Sequence, residues 1–285
     1  MSSIHYSAPK LLWMPMLSIT PIHAYSDNYI WLIQRDNAPQ VVLVDPGQAE
    51  PVIEHIEDNN LQPVVILITH QHYDHTGGVV QLLRKYPDCL LVGPSREPSD
   101  KKLGIDLSVQ NLISRKVHAG DALKIPELNI QFEVLEIPGH TLDHLAFYGE
   151  GVVFCGDLLF GAGCGRIFSG TPQLFADSIE KLMKLPQDTL MYCAHEYTVD
   201  NLGFAKWVEP DSIDINERDK IEMAKQEKGQ ITVPTSIGLE LKTNPFVRLQ
   251  QPQVKQAAEK YSAKPLTENW QVFAALREWK DSEYD

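Results

Sequence analysis

Thr69-His70-Gln71-His72-Tyr73-Asp74-His75 places four candidate metal ligands directly after the apolar run 64–68. That run predicts a buried strand that ends at the cluster. Imidazoles two residues apart leave a strand on the same side, while Asp74 and His75, after the chain turns, can face a second metal ion. A polar loop with a helix-capping Asp would explain the same residues. The metal interpretation therefore requires further ligands elsewhere in the chain.

Three more candidate ligands each follow a short apolar run that predicts a strand. His140 comes after residues 132–137, Asp157 after 152–156 and His195 after 190–194. Any one of them alone is more often a turn former or a satisfied polar group. Together with the loop they predict a site for two metal ions.

With these ligands, the chain resembles the metallo-β-lactamase superfamily. Five further sequence motifs narrow the resemblance to glyoxalase II, the hydroxyacylglutathione hydrolases. The resemblance runs from about residue 16 to the C-terminus, and most of the superfamily lacks the C-terminal part. The five motifs are Asp45-Pro46-Gly47, Gly163-Cys164-Gly165-Arg166-Ile167-Phe168, Ala194-His195-Glu196-Tyr197-Thr198, Asn244-Pro245-Phe246-Val247-Arg248 and Leu276-Arg277-Glu278-Trp279-Lys280-Asp281.

The resemblance implies an α/β fold: a metallo-β-lactamase αββα sandwich followed by a small all-helical C-terminal domain. We expect an N-terminal extension at 1–15, a catalytic domain at 16–196 and a substrate-binding domain at 197–285. Periodicity alone gives only mixed α and β. It predicts strands at 29–34, 41–45, 64–69, 90–92, 130–137, 145–148, 152–155 and 190–194, and helices at 49–59, 79–86 and 171–185. After 197 it predicts helix, a polar linker that includes the charge-rich 216–228, and a last helix at 267–280.

The resemblance also assigns the ligands. His70, His72 and His140 are expected at the first metal ion, Asp74, His75 and His195 at the second, with Asp157 bridging both; His144 is expected to support a ligand. Nitrogen and oxygen donors without thiolate suit two divalent ions, zinc first, with iron or manganese also suitable.

Two cations that share a hydroxide lower its pKa towards neutral, and one of them can polarise a carbonyl. The resemblance implies that Asp74 and Asp157 hold this nucleophile. A thiol leaves readily as thiolate, so a thioester needs no general acid. The resemblance implies hydrolysis of S-D-lactoylglutathione to D-lactate and glutathione, the second step of methylglyoxal detoxification.

Substrate contacts are expected from the C-terminal region. Arg277 and Lys280, three apart on a predicted helix, share a face that can bind glutathione carboxylates, although without the resemblance they would be an ordinary surface pair. Arg166 and Tyr197 match the other glutathione contacts. Phe168 replaces a tyrosine of relatives, so a hydroxyl contact is lost there.

Other functions stay open at this stage. A mononuclear-iron glutathione persulfide dioxygenase is similar but lacks the helical domain, and a flavodiiron oxygen reductase would carry Glu in place of His72. The formal charge of -13 opposes a nuclease. The complete ligand set opposes a non-catalytic binding protein with a relict site.

The composition indicates the cellular compartment and the kinds of partner to expect. Four cysteines without C-x-x-C spacing predict reduced thiols in a cytoplasmic protein. The segment 11–17 is a poor signal peptide because it is short and broken by Pro15, and no run approaches the ~20 apolar residues of a membrane span. We expect translation to be able to start at Met16, and a monomer that binds a small-molecule thioester but neither nucleic acid nor membrane.

Overall fold

A computed structural model describes residues 17–97 and 107–284 of the chain, without the side chains of 107 and 108. Its first sheet has six strands in chain order: β1 (Leu17–Ala24), β2 (Asn28–Arg35), β3 (Gln40–Val44), β4 (Gln62–Leu67), β5 (Leu90–Pro94) and β6 (Arg115–Val117). The first three strands pair antiparallel and the last four pair parallel. The apolar run before the ligand loop is thus a central strand, β4.

The second sheet also has six strands, in the order β14-β13-β10-β9-β8-β7. They are β7 (Ala122–Ile125), β8 (Ile130–Glu136), β9 (Leu145–Gly149), β10 (Val152–Gly156), β13 (Leu190–Cys193) and β14 (Thr235–Ser236). Only β10 and β13 pair parallel. A separate small hairpin is formed by β11 (Leu159–Phe160) and β12 (Gly163–Cys164).

The two sheets pack face to face because successive side chains along a strand point to opposite faces of its sheet. In β2, Trp31 and Ile33 belong to the core that includes the second sheet, whereas Ile30 and Leu32 belong to a second core under the outer helices. This period of two is what a sheet buried on both faces requires. The outer helices of the first sheet are α1 (Glu50–Asp58), α3 (Val79–Lys85) and α4 (Leu107–Leu112), and the single turn α2 (Tyr73–Thr76) lies within the ligand loop.

On the other face lies α5 (Pro172–Leu182), which begins as the sequence predicts. The Thr171 hydroxyl accepts a hydrogen bond from the backbone N–H of Leu174, and Pro172 occupies the first helical position. Its residue Phe175 packs on Phe273 of the last long helix at 4.9 Å between ring centroids. The helical region therefore rests directly on the sandwich.

The helical region contains five helices, more than the sequence patterns indicate. They are α6 (Thr198–Val208), α7 (Ile213–Gln226), α8 (Ile237–Thr243), α9 (Pro252–Ser262) and α10 (Asn269–Trp279), followed by a short π-helical segment, Lys280–Tyr284. The predicted polar linker at 216–228 is wrong, since most of it is α7. Its charged residues hide the pattern because Arg218, Asp219 and Glu222 are themselves buried.

The αββα sandwich and the helical region after it are confirmed, apart from the two-residue strand β14 that the helical region adds to the second sheet. The predicted extension at 1–15 lies outside the described residues. No described helix is both long enough and apolar enough to cross a bilayer.

Candidate metal centre

The first cluster consists of three imidazoles that converge on one point. His70 Nε2 and His140 Nε2 each lie 3.0 Å from His72 Nδ1. Nitrogens bound at ~2.0–2.1 Å to one tetrahedral ion would be about 3.3 Å apart. All three side chains are buried. The spacing therefore fits a single cation held between these rings.

The second cluster lies beside the first and is richer in carboxylates. Asp74 Oδ2 lies 3.5 Å from His75 Nε2 and 3.4 Å from His195 Nε2. His75 Nε2 is buried and has no hydrogen-bond partner among the described residues. A buried nitrogen without a partner is costly unless something absent from the chain satisfies it, and a cation would do so.

Asp157 stands between the clusters. Its Oδ2 lies 3.5 Å from His140 Nε2 of the first and 3.4 Å from both His75 Nε2 and His195 Nε2 of the second. Its Oδ1 is buried and unpartnered within the described part of the chain. All donor atoms within each cluster lie within 4.8 Å of one another. One carboxylate is therefore placed to serve two cations.

The far nitrogen of four histidines is held by another group, as metal-ligating imidazoles require. His140 Nδ1 donates to the Arg166 carbonyl at 2.8 Å, which leaves Nε2 free to face the cluster. The other three contacts are His70 Nδ1 with Thr69 Oγ1 at 3.1 Å, His75 Nδ1 with Asp45 Oδ2 at 3.0 Å, and His195 Nδ1 with Asp27 Oδ1 at 2.7 Å.

The ligand loop is seated on the Asp45-Pro46-Gly47 turn. Asp45 accepts hydrogen bonds from the Thr69 backbone N–H and from its hydroxyl, at 2.8 and 2.7 Å. A Cβ on Gly47 would lie 1.9 Å from the Asp74 carbonyl oxygen. Glycine is therefore required for the turn to approach the loop this closely.

The two clusters differ in their protonation. Burial lowers the pKa of His140 to about 4 and holds that of His70 well below its usual range, so both rings are neutral at pH 7. Burial also opposes the imidazolium of His75 and His195, but Asp157 and its neighbouring carboxylates outweigh it and raise the pKa of both well above the usual value. A cation entering the second cluster would displace these protons.

A cavity of about 570 Å³ opens from both clusters towards the helical region. Phe168, 39% exposed, packs edge-on against the rings of His72 and His140 at the cluster end. The ring of Tyr197 stacks on His195 at 4.8 Å. Burial raises the pKa of Tyr197 to about 12, so its hydroxyl keeps its proton.

The predicted cations line the same cavity. Lys280 is 5% exposed, and its Nζ lies 3.8 Å from Asp200 Oδ2. Arg277 is buried, donates to the Cys164 carbonyl at 3.0 Å and pairs with Asp281 at 2.8 Å. Arg166 is more exposed, with Nε 3.6 Å from Asp281. All five sequence-predicted substrate residues thus border one cavity, although Arg277 also supports the backbone beneath it.

Several contributors were not found from the sequence. Asp27 precedes β2 and Asn28 begins it, and Asn28 Nδ2 donates to Asp74 Oδ2 at 3.0 Å. Neither residue carries a periodic or spacing signal. Asp200 and Tyr284, which also line the cavity, were missed for the same reason.

Among the described residues, the remaining histidines belong to neither cluster. His144 accepts from the Asp157 backbone N–H at 3.1 Å and stacks on His70, so it supports the centre from behind. His23, His55 and His118 belong to neither cluster. His5 lies outside the described residues.

Comparison with known proteins shows which family the chain belongs to. A model of the metallo-beta-lactamase superfamily matches residues 26–195, and one described as the hydroxyacylglutathione hydrolase C-terminus matches residues 196–283. A curated relative from Nitrosomonas europaea, named hydroxyacylglutathione hydrolase, is 41% identical over 94% of this chain and 97% of its own. The chain belongs to the hydroxyacylglutathione hydrolase family. Another member, from Idiomarina loihiensis, is 42% identical over 93% of this chain and 100% of its own.

Solved structures agree on the fold. The crystal structure of ETHE1 from Myxococcus xanthus matches with a TM-score of 0.59 at 24% identity, covering 92% of this chain and 96% of that one. TTHA1623, solved in a di-iron-bound form, matches with a TM-score of 0.53 at 26% identity, covering 82% of this chain and 99% of that one. The chain therefore shares its overall fold with both solved structures.

Proposed function

We propose that the chain hydrolyses S-D-lactoylglutathione to D-lactate and glutathione at a centre of two divalent metal ions. The enzyme class, thioester hydrolase, follows from family membership. The observation that carries the specific proposal is one cavity lined both by residues of the two histidine–aspartate clusters and by Arg277 and Lys280. That cavity can hold a reacting thioester and a distant carboxylate at once.

The ligand roles proposed are those of the sequence analysis, and the residues present fit such ions. The unpartnered His75 Nε2 and Asp157 Oδ1 supply donors that nothing else in the described chain uses. Without thiolate donors the centre suits zinc, and iron or manganese can also occupy it. When bound, two such ions supply a nucleophile at neutral pH and polarise the substrate carbonyl.

The reaction adds water to the acyl carbon and breaks the carbon–sulfur bond, giving a carboxylic acid and a thiol. Asp157 would hold the two ions at a fixed separation, and Asp74 would orient the attacking oxygen and accept its hydrogen bond. Asn28 fixes Asp74 by donating to its Oδ2. Glutathione leaves as thiolate, which needs no protonating residue because an unperturbed thiol has a pKa of about 8.5.

Binding is proposed in the same cavity. The ammonium of Lys280, and the guanidinium of Arg166 at the rim, would contact a glutathione carboxylate, and the Tyr197 hydroxyl would donate to the peptide portion. Phe168 offers an apolar wall beside the first cluster and no hydroxyl. We thus propose that residues 16–196 form the catalytic domain and that the helical region 197–285 forms the substrate-binding domain.

The test is hydrolysis of S-D-lactoylglutathione by the purified protein, with thiol and D-lactate both measured. We expect the two products in equal amounts, without oxygen consumption. Oxygen uptake on glutathione persulfide with no thioester hydrolysis would instead support the dioxygenase alternative. Activity on neither substrate would leave the relict-site alternative.

We also propose a cytoplasmic monomer that binds neither nucleic acid nor membrane. The proposed monomer is supported by the seven candidate ligands and the three cations of the cavity, which all belong to this one chain. The four cysteines are buried free thiols, as is usual for a reducing compartment.

A further inference from the structure

The hairpin of β11 and β12 joins two groups of the proposed metal centre. Asp157 lies two residues before β11, and Arg166, whose carbonyl accepts a hydrogen bond from His140 Nδ1 at 2.8 Å, lies two residues after β12. We call residues 157–166 the site hairpin. A Cβ on Gly165 would lie 2.1 Å from the Asp157 carbonyl oxygen, so the two ends are in close contact. Any shift of this hairpin moves a bridging carboxylate and reorients a histidine of the first cluster.

Side chains of the helical region hold this hairpin by its backbone. Five successive residues, 160 to 164, each have a backbone group bonded by a side chain from beyond residue 196. The bonds run from Asn244 Nδ2 to the carbonyls of Phe160 at 3.3 Å and Gly163 at 3.0 Å, from Asn201 Nδ2 to the Gly161 carbonyl at 3.0 Å, from the Ala162 N–H to Glu240 Oε2 at 2.9 Å, and from Arg277 Nη1 to the Cys164 carbonyl at 3.0 Å.

The hairpin needs this external support. Each of its strands has only two residues, and Ala162 at its tip has a φ of 55°, in the left-handed region that non-glycine residues seldom adopt. The backbone groups at the tip are buried, so they require partners. Without the helical region these partners would be lost together.

The holding side chains are themselves fixed. Asn244 and Glu240 are fully buried and bonded to each other at 2.9 Å. The other oxygen of Glu240 accepts from the Thr235 hydroxyl at 2.6 Å and pairs with Arg218 at 2.8 Å. Buried ion pairs of this kind contribute little net stability compared with apolar packing, so a role in fixing one geometry explains them better.

We propose that Asn244 and Glu240 are positioning residues for the metal centre, through which the helical region sets the site hairpin and hence Asp157 and His140. The inference rests on the proposed two-metal function but assigns the helical region a second role besides substrate binding. It also gives the Asn244-Pro245-Phe246 motif a structural role. Asn244 Oδ1 accepts a hydrogen bond from the Phe246 N–H at 3.0 Å, while Asn244 Nδ2 donates to the hairpin carbonyls.

The test compares Asn244→Ala with Asn216→Ala. Asn216 Nδ2 also caps two carbonyls, those of Pro210 and Ser212, but entirely within the helical region. Zinc affinity of the metal-free proteins is measured by chelator competition without substrate, and hydrogen exchange is followed in residues 157–166. We expect Asn244→Ala to weaken zinc binding about tenfold to hundredfold, as loss of support behind ligands does. Exchange should rise in the site hairpin but not in β2 or β3, and Asn216→Ala should match the wild type.

Unchanged zinc affinity and unchanged exchange in a folded Asn244→Ala protein would overturn the inference. If that variant does not fold, Glu240→Gln is compared with Asp219→Asn, which alters a buried carboxylate paired with Lys206 away from the hairpin. Equal zinc loss in both would likewise overturn it. A wild type that binds fewer than two ions would refute the proposed function instead, so the two failures are distinguishable.

Discussion

Replacing Lys280 with methionine should separate glutathione binding from chemistry. The ammonium is buried, lines the cavity and is not among the candidate metal ligands. It would therefore contact the substrate carboxylate equally in the ground and transition states, and its loss should raise KM while leaving kcat nearly unchanged. Methionine keeps most of the length of the side chain and removes the ammonium, with its charge and its hydrogen-bond donors.

The magnitude follows from the type of contact. A hydrogen bond to a charged group contributes about 1.5 to 3 kcal/mol, which corresponds to a decrease of roughly tenfold to a hundredfold in kcat/KM. Lys280 is chosen over Arg277 because the Arg277 guanidinium also holds the Cys164 carbonyl, so a change there would mix binding with support of the site hairpin.

The assay is steady-state hydrolysis of two substrates, S-D-lactoylglutathione and the D-lactoyl thioester of N-acetylcysteamine, which has no carboxylate. Lys280→Met should impair only the first. Lys206→Met is the matched control, because Lys206 pairs with Asp219 and does not line the cavity. A wild-type KM for the glutathione thioester, or an equal loss on both substrates, would refute the binding role of Lys280.

The remaining predictions concern the metal centre and the thiols. Asp157→Ala should lose at least one metal ion per chain and nearly all activity, because the carboxylate lies within reach of both clusters; full metal content with normal turnover would contradict this. Because the pKa of His75 and of His195 is raised, zinc uptake in weak buffer should release protons, and affinity for the second ion should fall as pH falls; uptake without proton release would count against it. Burial raises the pKa of Cys164 to about 11 and of Cys193 to about 12, so fewer than one of the four thiols should react with a disulfide reagent at pH 7.5 before unfolding, and all four afterwards; rapid native reaction would show that the core is open.

Much of the sandwich could be predicted from local patterns. Strands β2, β4 and β10 are continuous apolar runs that end at punctuation, and α5 carries its own N-cap and proline. Runs of this kind also located the ligands, since His70 follows β4, Asp157 follows β10 and His195 follows β13. Helix α7 was missed because its buried face is ionic, and a hydrophobic period cannot reveal a face formed by Arg218 and Glu222.

The groups around the ligands could not be predicted in the same way. Asp27 supports His195 across 168 positions of the chain, and Asn244 reaches the Phe160 carbonyl across 84. Contacts of this kind depend on how the sheets and the helical region come together. The motif containing Asn244 was visible in the sequence but its structural role was not, and Asp27 belongs to none of the motifs.

The central claim is that two ions and the glutathione thioester meet in one cavity. The most direct measurement is titration of metal-free protein with zinc, following bound metal and S-D-lactoylglutathione hydrolysis in the same samples. The account predicts saturation at two ions per chain, with full hydrolytic activity only when both are bound. Saturation at one ion with full activity, or two bound ions without thioester hydrolysis, would contradict it.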